Sequence, residues 1–150
     1  SRSAEKLARL APLGLSEGID TARRGFREQV GEPVDLVLDS LGGPAFADNL
    51  SVLGPRGRLV MIGFLAGSAF SGDLGPILRR RLQVIGTVMR SRVPEERSEL
   101  AADWRRDLAP GFDSGELQAV IGAELPVERI AEAHRLMERD ELFGKCVLCW

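Results

Sequence analysis

Three short apolar runs constrain this chain more than anything else in it: "VDLVLDSL" at 34–41, "RLVMIGF" at 58–64 and "LQVIGTVM" at 82–89. Each is too short for a buried helix and rich in Val, Leu and Ile, so each reads as a strand. In the first, Val34, Leu36, Val37 and Leu38 form a near-continuous apolar run, which predicts a parallel strand covered on both faces. "GGPAFADNLSVLG" follows it. Pro44 is placed for a first helical turn, and Phe46, Leu50 and Leu53 give that helix an apolar side. "GPRG" at 54–57 reads as a turn. Strand, helix and strand with short joints make a βαβ unit, hence a right-handed crossover in a parallel sheet.

The alternation extends in both directions. Ser3 is a helix cap, and a helix is expected from Ser3 to Pro12 with Gly14 as its stop. "EGID" at 17–20 reads as a brief strand, and "RRGFREQVG" at 23–31 as an amphipathic helix with Phe26 and Val30 four apart. After the glycine-rich loop "FLAGSAFSG", a short helix is expected in "DLGPILRRR". A longer one is expected in "PEERSELAADWRRDLAPGF" at 94–112, with Leu100, Trp104 and Leu108 as its stripe. "LQAVIGAEL" (117–125) is a strand, "PVERIAEAHRLMERD" (126–140) a helix and "KCVLCW" (145–150) a last strand. The fold class is α/β.

Composition narrows the function. The 150 residues suffice for a real core, and a net charge of -2 gives no basic excess to attract nucleic acid or a membrane surface. No apolar stretch approaches the ~20 residues of a membrane span. Two cysteines and one histidine exclude a disulfide framework and leave too few ligands for a zinc site. Cys146 and Cys149 form a CxxC, but within a strand residues three apart face opposite sides, which suits neither a dithiol nor a metal. These features point to a reducing, cytoplasmic setting. His134, near Ile130 and Met137 on a helical face, reads as a packed structural histidine, and Trp104 as core or interface.

In an open parallel sheet, ligands sit beyond the carboxyl ends of the strands. Three stretches lie there: "DSLGG" at 39–43, "GFLAGS" at 63–68 and "MRSR" at 89–92. Their glycines permit close backbone approach, and Arg90 and Arg92 are suited to phosphate or carboxylate. Taken singly, each stretch reads first as a turn that needs glycine, or as exposed arginines. At the start of the first helix, Ser1, Arg2, Ser3 and Lys6 gather where an anion is favoured. The phosphate fingerprint GxGxxG occurs nowhere in the chain, so these residues alone do not complete a dinucleotide site of that kind.

The order "VDLVLDSLGG", "NLSVLGPRGRLVMIG", "RRRLQVIGTVMRSR", "IAEAHRLMERDELFGKCVL" resembles the C-terminal half of a zinc-free medium-chain dehydrogenase/reductase. The closest group is the NADPH:quinone oxidoreductases of the zeta-crystallin type, and the resemblance covers essentially the whole chain. It implies an incomplete Rossmann-type parallel sheet with flanking helices over residues 1–122. Residues 123–150 would then form a helix and strand that return to a missing catalytic domain, so the chain would be a fragment, inactive alone. It also implies that Arg2, Ser3 and Lys6 hold the 2′-phosphate of NADPH. Ser40, Gly42, Gly63, Phe64, Leu65, Met89, Arg90 and Arg92 would line the nicotinamide and pyrophosphate side of the cleft. The implied partners are NADPH, a small quinone or enone, and a second copy paired through the edge strand Leu82 to Met89; no metal is implied and no catalytic residue stands out. Where the family commonly has Asn-Tyr, this chain has Asp20 and Thr21, and an aspartate there would repel a 2′-phosphate, leaving NADH open. The alternatives are an enoyl reductase module of a polyketide synthase and a non-catalytic dimerisation module. A cofactor titration separates the second from an enzyme.

Overall fold

The computed structural model describes residues 1–150. The chain divides into two compact units, Ser1–Arg92 and Val93–Trp150.

In the first unit, helix α1 (Ala4–Leu10) starts from Ser3, whose Oγ accepts the Lys6 N–H at 3.2 Å. A 3-10 turn (Ala11–Leu13) follows, and Gly14 closes it at φ 91°. The sheet is then built from β1 (Val34–Asp39), β2 (Leu53–Met61) and β3 (Gln83–Gly86), all parallel, in the order β1-β2-β3. Helix α2 (Gly43–Val52) joins β1 to β2, with Pro44 in its first turn, and α3 (Gly75–Arg80) leads into β3. The alternation read from the sequence is therefore present, and β3 lies at the sheet edge with all four residues exposed.

The core of this unit is Phe46, Leu50, Leu53, Leu59 and Leu82, with Val37, Phe70 and Ile77 packed against it. Phe46 meets Phe70 with ring centroids 4.6 Å apart. Arg80 ties α3 to the end of α2: its Nη1 donates to the carbonyls of Leu50 (3.1 Å), Ser51 (3.0 Å) and Leu53 (2.9 Å). Those carbonyls are left over at a helix C-terminus, and a charge-assisted bond to them is worth about 1.5–3 kcal/mol. At the other end of α3, the Gly75 N–H and then Arg79 hold the exposed Asp73 carboxyl below its usual range.

Several expectations need correction. "EGID" forms no strand; it makes one ladder-like exchange, with the Ser1 ammonium donating to Ile19 O and Thr21 N–H donating to Ser1 O, both at 2.9 Å. "RRGFREQVG" is not a helix but a single 3-10 turn, Phe26–Glu28. Gly25 before it and Gly31-Glu32-Pro33 after it leave too few residues to repay nucleation. "GPRG" lies inside β2 as an irregularity: the register passes from Val34↔Leu53 to Leu36↔Arg58, with Arg56 at φ 63°. β1 is not covered on both faces in this unit. The core cluster takes Val37, while Leu36 and Leu38 on the opposite face are 51% and 64% exposed.

The second unit holds α4 (Pro94–Asp107), α5 (Ala109–Asp113), β4 (Ile121–Pro126), a 3-10 turn (Val127–Arg129), α6 (Ile130–Glu138) and β5 (Lys145–Cys149). β4 and β5 pair in parallel as a separate two-stranded sheet. The single helix expected over 94–112 breaks at Leu108, because Pro110 cannot donate the N–H that would continue the helix. Trp104 is not core: it is 47% exposed and lies 5.9 Å from the Phe112 ring. His134 is exposed rather than packed, since α6 buries Ala133 and turns the stripe through Ile130 and Met137 outward.

Candidate functional site

The carboxyl ends of β1 and β2 are stitched together by their backbones. Ile62 N–H donates to Asp39 O at 2.8 Å, Leu65 N–H to Ser40 O at 2.9 Å, Ala66 N–H to Leu41 O at 3.0 Å and Gly43 N–H to Gly67 O at 2.9 Å. The loops "DSLGG" and "GFLAGS", read separately from the sequence, are thus one structure. Asp39 anchors it. Its buried carboxylate, 4% exposed, accepts the N–H of Leu41 at 2.8 Å and of Gly42 at 3.0 Å. Two backbone donors satisfy a charge that would otherwise be costly to bury.

Glycine is required at two positions here. Gly42 sits at φ 92°, and a Cβ would come within 2.6 Å of the Phe64 ring. A Cβ on Gly43 would run into the Ala69 carbonyl oxygen. The two loops therefore approach as closely as backbones can.

Beyond β2 and β3 lies a cavity of about 430 Å³, lined on its apolar side by Met61, Ile62, Phe64 and Val88. Its polar side has Thr87, Ser91 and Arg92, with backbone at Gly63 and Gly86. Arg92 Nη2 donates to Thr87 Oγ1 at 3.0 Å, while its Nε is buried without a partner. The Arg92 backbone is turned toward this position by its N–H bond to Met89 O at 3.2 Å. A second cavity, about 400 Å³, runs along the open edge of β1 and is lined by Ser1, Ile19, Thr21, Leu36, Leu38 and Ser40 among others. Buried Asn49 also borders it, and its Nδ2 has no acceptor.

Of the residues named from the sequence, the first cavity gathers Gly63, Phe64 and Arg92. Ser40 faces the second, and Gly42 lies in the stitched turn. Leu65 is 84% and Met89 52% exposed, and neither lines a cavity described here; Arg90 is exposed beside Ser91. Arg2, Ser3 and Lys6 sit together at the start of α1, where Ser1 Oγ accepts the Ser3 N–H at 3.1 Å. Asp20 is engaged locally: Oδ1 accepts the Ala22 N–H at 2.9 Å, and Arg23 lies 4.0 Å from Oδ2. Sequence reasoning passed over Gly86 and Thr87, and took Ser91 only as part of "MRSR". Their signal was available, since Gly86 ends a parallel strand and the other two follow it.

A parallel sheet with helical crossovers, with clefts at the carboxyl edge of its strands, defines an α/β protein of the Rossmann type. Residues 13–148 match the family model of the zinc-binding dehydrogenases, and the chain belongs to that family, as a quinone oxidoreductase-like portion of a medium-chain dehydrogenase/reductase. It is 29% identical over 127 residues to the quinone oxidoreductase of Homo sapiens, an alignment covering 82% of this chain and 36% of that protein. It is 30% identical over 130 residues to the highly reducing polyketide synthase PKS6 of Gibberella zeae, covering 82% of this chain and 5% of the synthase. The structure is similar to that of an NAD-dependent alcohol dehydrogenase, with TM-score 0.76, 30% identity, and coverage of 99% of this chain and 42% of that one. The chain thus spans little more than a third of the length of the quinone oxidoreductases it matches.

Such a family implies two groups, a metal ion and a nicotinamide dinucleotide. No three His, Cys, Asp or Glu side chains of this chain converge to hold a metal ion, so its residues do not fit a zinc site. A nicotinamide dinucleotide does fit in part. The larger cavity has room for a planar ring and an unpaired guanidinium N–H in its wall.

The stitched turn gives a direct test. Gly43→Ala forces the turn off the Ala69 carbonyl and is expected to cost about 1–3 kcal/mol, as overpacking does. Gly25→Ala, with nothing within 4 Å and φ -57°, should be neutral or slightly stabilising. Urea midpoints for the two variants check this; equal midpoints would contradict it.

Proposed function

We propose that this chain is the cofactor-holding portion of an NADPH-dependent oxidoreductase whose acceptor is a quinone or an α,β-unsaturated carbonyl compound. The observation that carries this reading is the cleft at the carboxyl edge of the sheet in a chain of the dehydrogenase family, with quinone oxidoreductases among its relatives. When bound, the cofactor supplies the hydride. The residues of this chain supply position. Asp39 fixes the turn that carries Ser40 and Gly42. The apolar wall of Met61, Phe64 and Val88 keeps water from a ring, and Arg92 and Thr87 offer donors at its rim.

Arg2, Ser3 and Lys6 are assigned to the adenosine 2′-phosphate, at the start of α1. The diphosphate fingerprint is not among these residues, so residues 1–150 alone are expected to be inactive. The cavity beside β1 supports a further element of the same reading. There an added parallel strand would complete the sheet between Ile19–Thr21 and β1 and bring an acceptor to Asn49 Nδ2. Residues 1–122 are then the cofactor domain, and 123–150 a segment that joins the catalytic domain.

A longer protein containing this sequence tests the cofactor assignment. Lys6→Ala and Arg2→Ala should weaken NADPH binding about ten- to hundredfold while leaving NADH nearly unchanged, the size of one charge-assisted contact. Fluorescence titration with both nucleotides reads this, and equal weakening would reject the 2′-phosphate assignment.

β3 is also the surface through which we propose that two copies pair about a two-fold axis. It is a sheet edge without charge or proline from Leu82 to Met89. Ile85→Lys should convert the dimer to a monomer in sedimentation at micromolar concentration. A monomer already present without the substitution would contradict the pairing.

A further inference from the structure

A polar cavity of about 240 Å³ lies at the amino edge of the three-stranded sheet, the edge opposite the proposed cofactor cleft. The turn ahead of β1 gives it Arg27 and Glu32, the end of α2 gives it Ser51, and the end of α3 gives it Arg80. Arg80 is anchored there. Its Nη1 donates to the carbonyls of Leu50, Ser51 and Leu53 at 2.9–3.1 Å. Its Nε and Nη2 have no acceptor within the chain, and neither is buried. A guanidinium already held in one orientation thus presents free donors, with its rotamer freedom lost before any ligand arrives. Arg27 reaches the same space and forms no ion pair or hydrogen bond of its own. Ser51 Oγ already donates to Asp48 O at 2.7 Å, so the arginines are the charged donors of the cavity. Glu32 is the one acid in the wall, and it pairs with neither of them. Close by, Arg58 stands in register with Gln83, the first residue of β3, and Arg81 precedes that residue by two; neither has a carboxylate partner. These charges add to the pull on an anion.

We infer that this cavity is a second ligand site, which takes a phosphate group, either free or as the ester of a small molecule, with Arg80 as the fixed fork and Arg27 as the arm that closes on it. Two guanidiniums approach from two different elements. A planar carboxylate satisfies one fork, whereas the tetrahedral oxygens of a phosphate accept from both directions, and its charge of nearly two matches the pair. A space of about 240 Å³ is below that of a drug-sized ligand, so the phosphate carries at most a short body. Glu32 repels the anion from one side and weakens the site without closing it. None of the residues assigned to the nucleotide lines this cavity, so the inference stands apart from the cofactor reading, and the two ligands can be bound together.

The test uses the 150-residue chain, isotopically labelled and titrated with inorganic phosphate, with glycerol 3-phosphate, and with sodium chloride at matched ionic strength. Phosphate should give saturable shifts at the amides of Gly31, Ser51 and Val52 and at the Nε–H of Arg80, and chloride should not. Tighter binding of glycerol 3-phosphate assigns the site to a phosphate ester, and tighter binding of inorganic phosphate assigns it to the free ion; either supports the inference. Arg27→Gln should weaken phosphate about three- to tenfold, and Arg80→Lys about tenfold, because lysine keeps the charge but loses the fork. Glu32→Gln should tighten it about two- to fivefold by removing the repulsion. Arg58→Gln should change it less than about twofold, because Arg58 does not line the cavity. Unchanged amide signals at Val37 and Leu59 show that the variants are folded, and Arg27, exposed and unpaired, can be replaced without loss of a native contact. Three results would overturn the inference: shifts that rise linearly and match those of chloride, equal weakening by Arg58→Gln and Arg27→Gln as on a diffuse basic surface, or no binding of either phosphate by a folded chain.

Discussion

Everything at the candidate site depends on the seam between two loops beyond β1 and β2. Four backbone bonds cross it, the buried Asp39 carboxylate fixes one side, and glycines at 42 and 43 let the other approach. Backbone polar groups at the end of a sheet must find partners, and here they find each other rather than water. The result is a joined rim from which Gly63 and Phe64 reach the larger cavity and Ser40 the smaller one. Arg80 serves the opposite end of the same crossover. By holding the last carbonyls of α2 it fixes where β2 begins, and so where the seam falls.

Much of this was legible in the sequence because local and tertiary signals agree there. The runs "VDLVLDSL" and "RLVMIGF" are apolar, bounded by turn residues and joined by a helix opened by Pro44, so pattern, propensity and turn chemistry all point to one βαβ unit. The failures lie where one signal stood alone. Phe26 and Val30 have helical spacing, but two glycines and a proline around them leave no length for a helix. Leu100, Trp104 and Leu108 have helical spacing too, yet spacing does not say that a partner face is present, and all three are at least 40% exposed. Thr87 carries no motif at all. Its importance comes from the hydroxyl that holds Arg92, a pairing five residues apart that no periodicity predicts.

Family membership and geometry inform different parts of the account. The family supplies the reaction class; the arrangement of side chains supplies the reasons for particular residues. A fold of this kind serves many chemistries, so the substrate has to be argued from the cavity. The open edge of β1, the bare face bearing Leu36 and Leu38, and the donor on Asn49 lie on one side of the sheet's first strand. All three are consistent with a sheet built to continue past β1. In the proposed cofactor domain, these three features are where further strands would continue the sheet.

We propose that the nucleotide lies across the carboxyl edge of β1, β2 and β3. Amide hydrogen exchange in the longer protein, with and without NADPH, decides this. Exchange should slow at residues 40–43, 63–66 and 86–92 and stay unchanged along α4 and α5. Protection confined to α4 and α5, or none at the three loops under saturating NADPH, would contradict it.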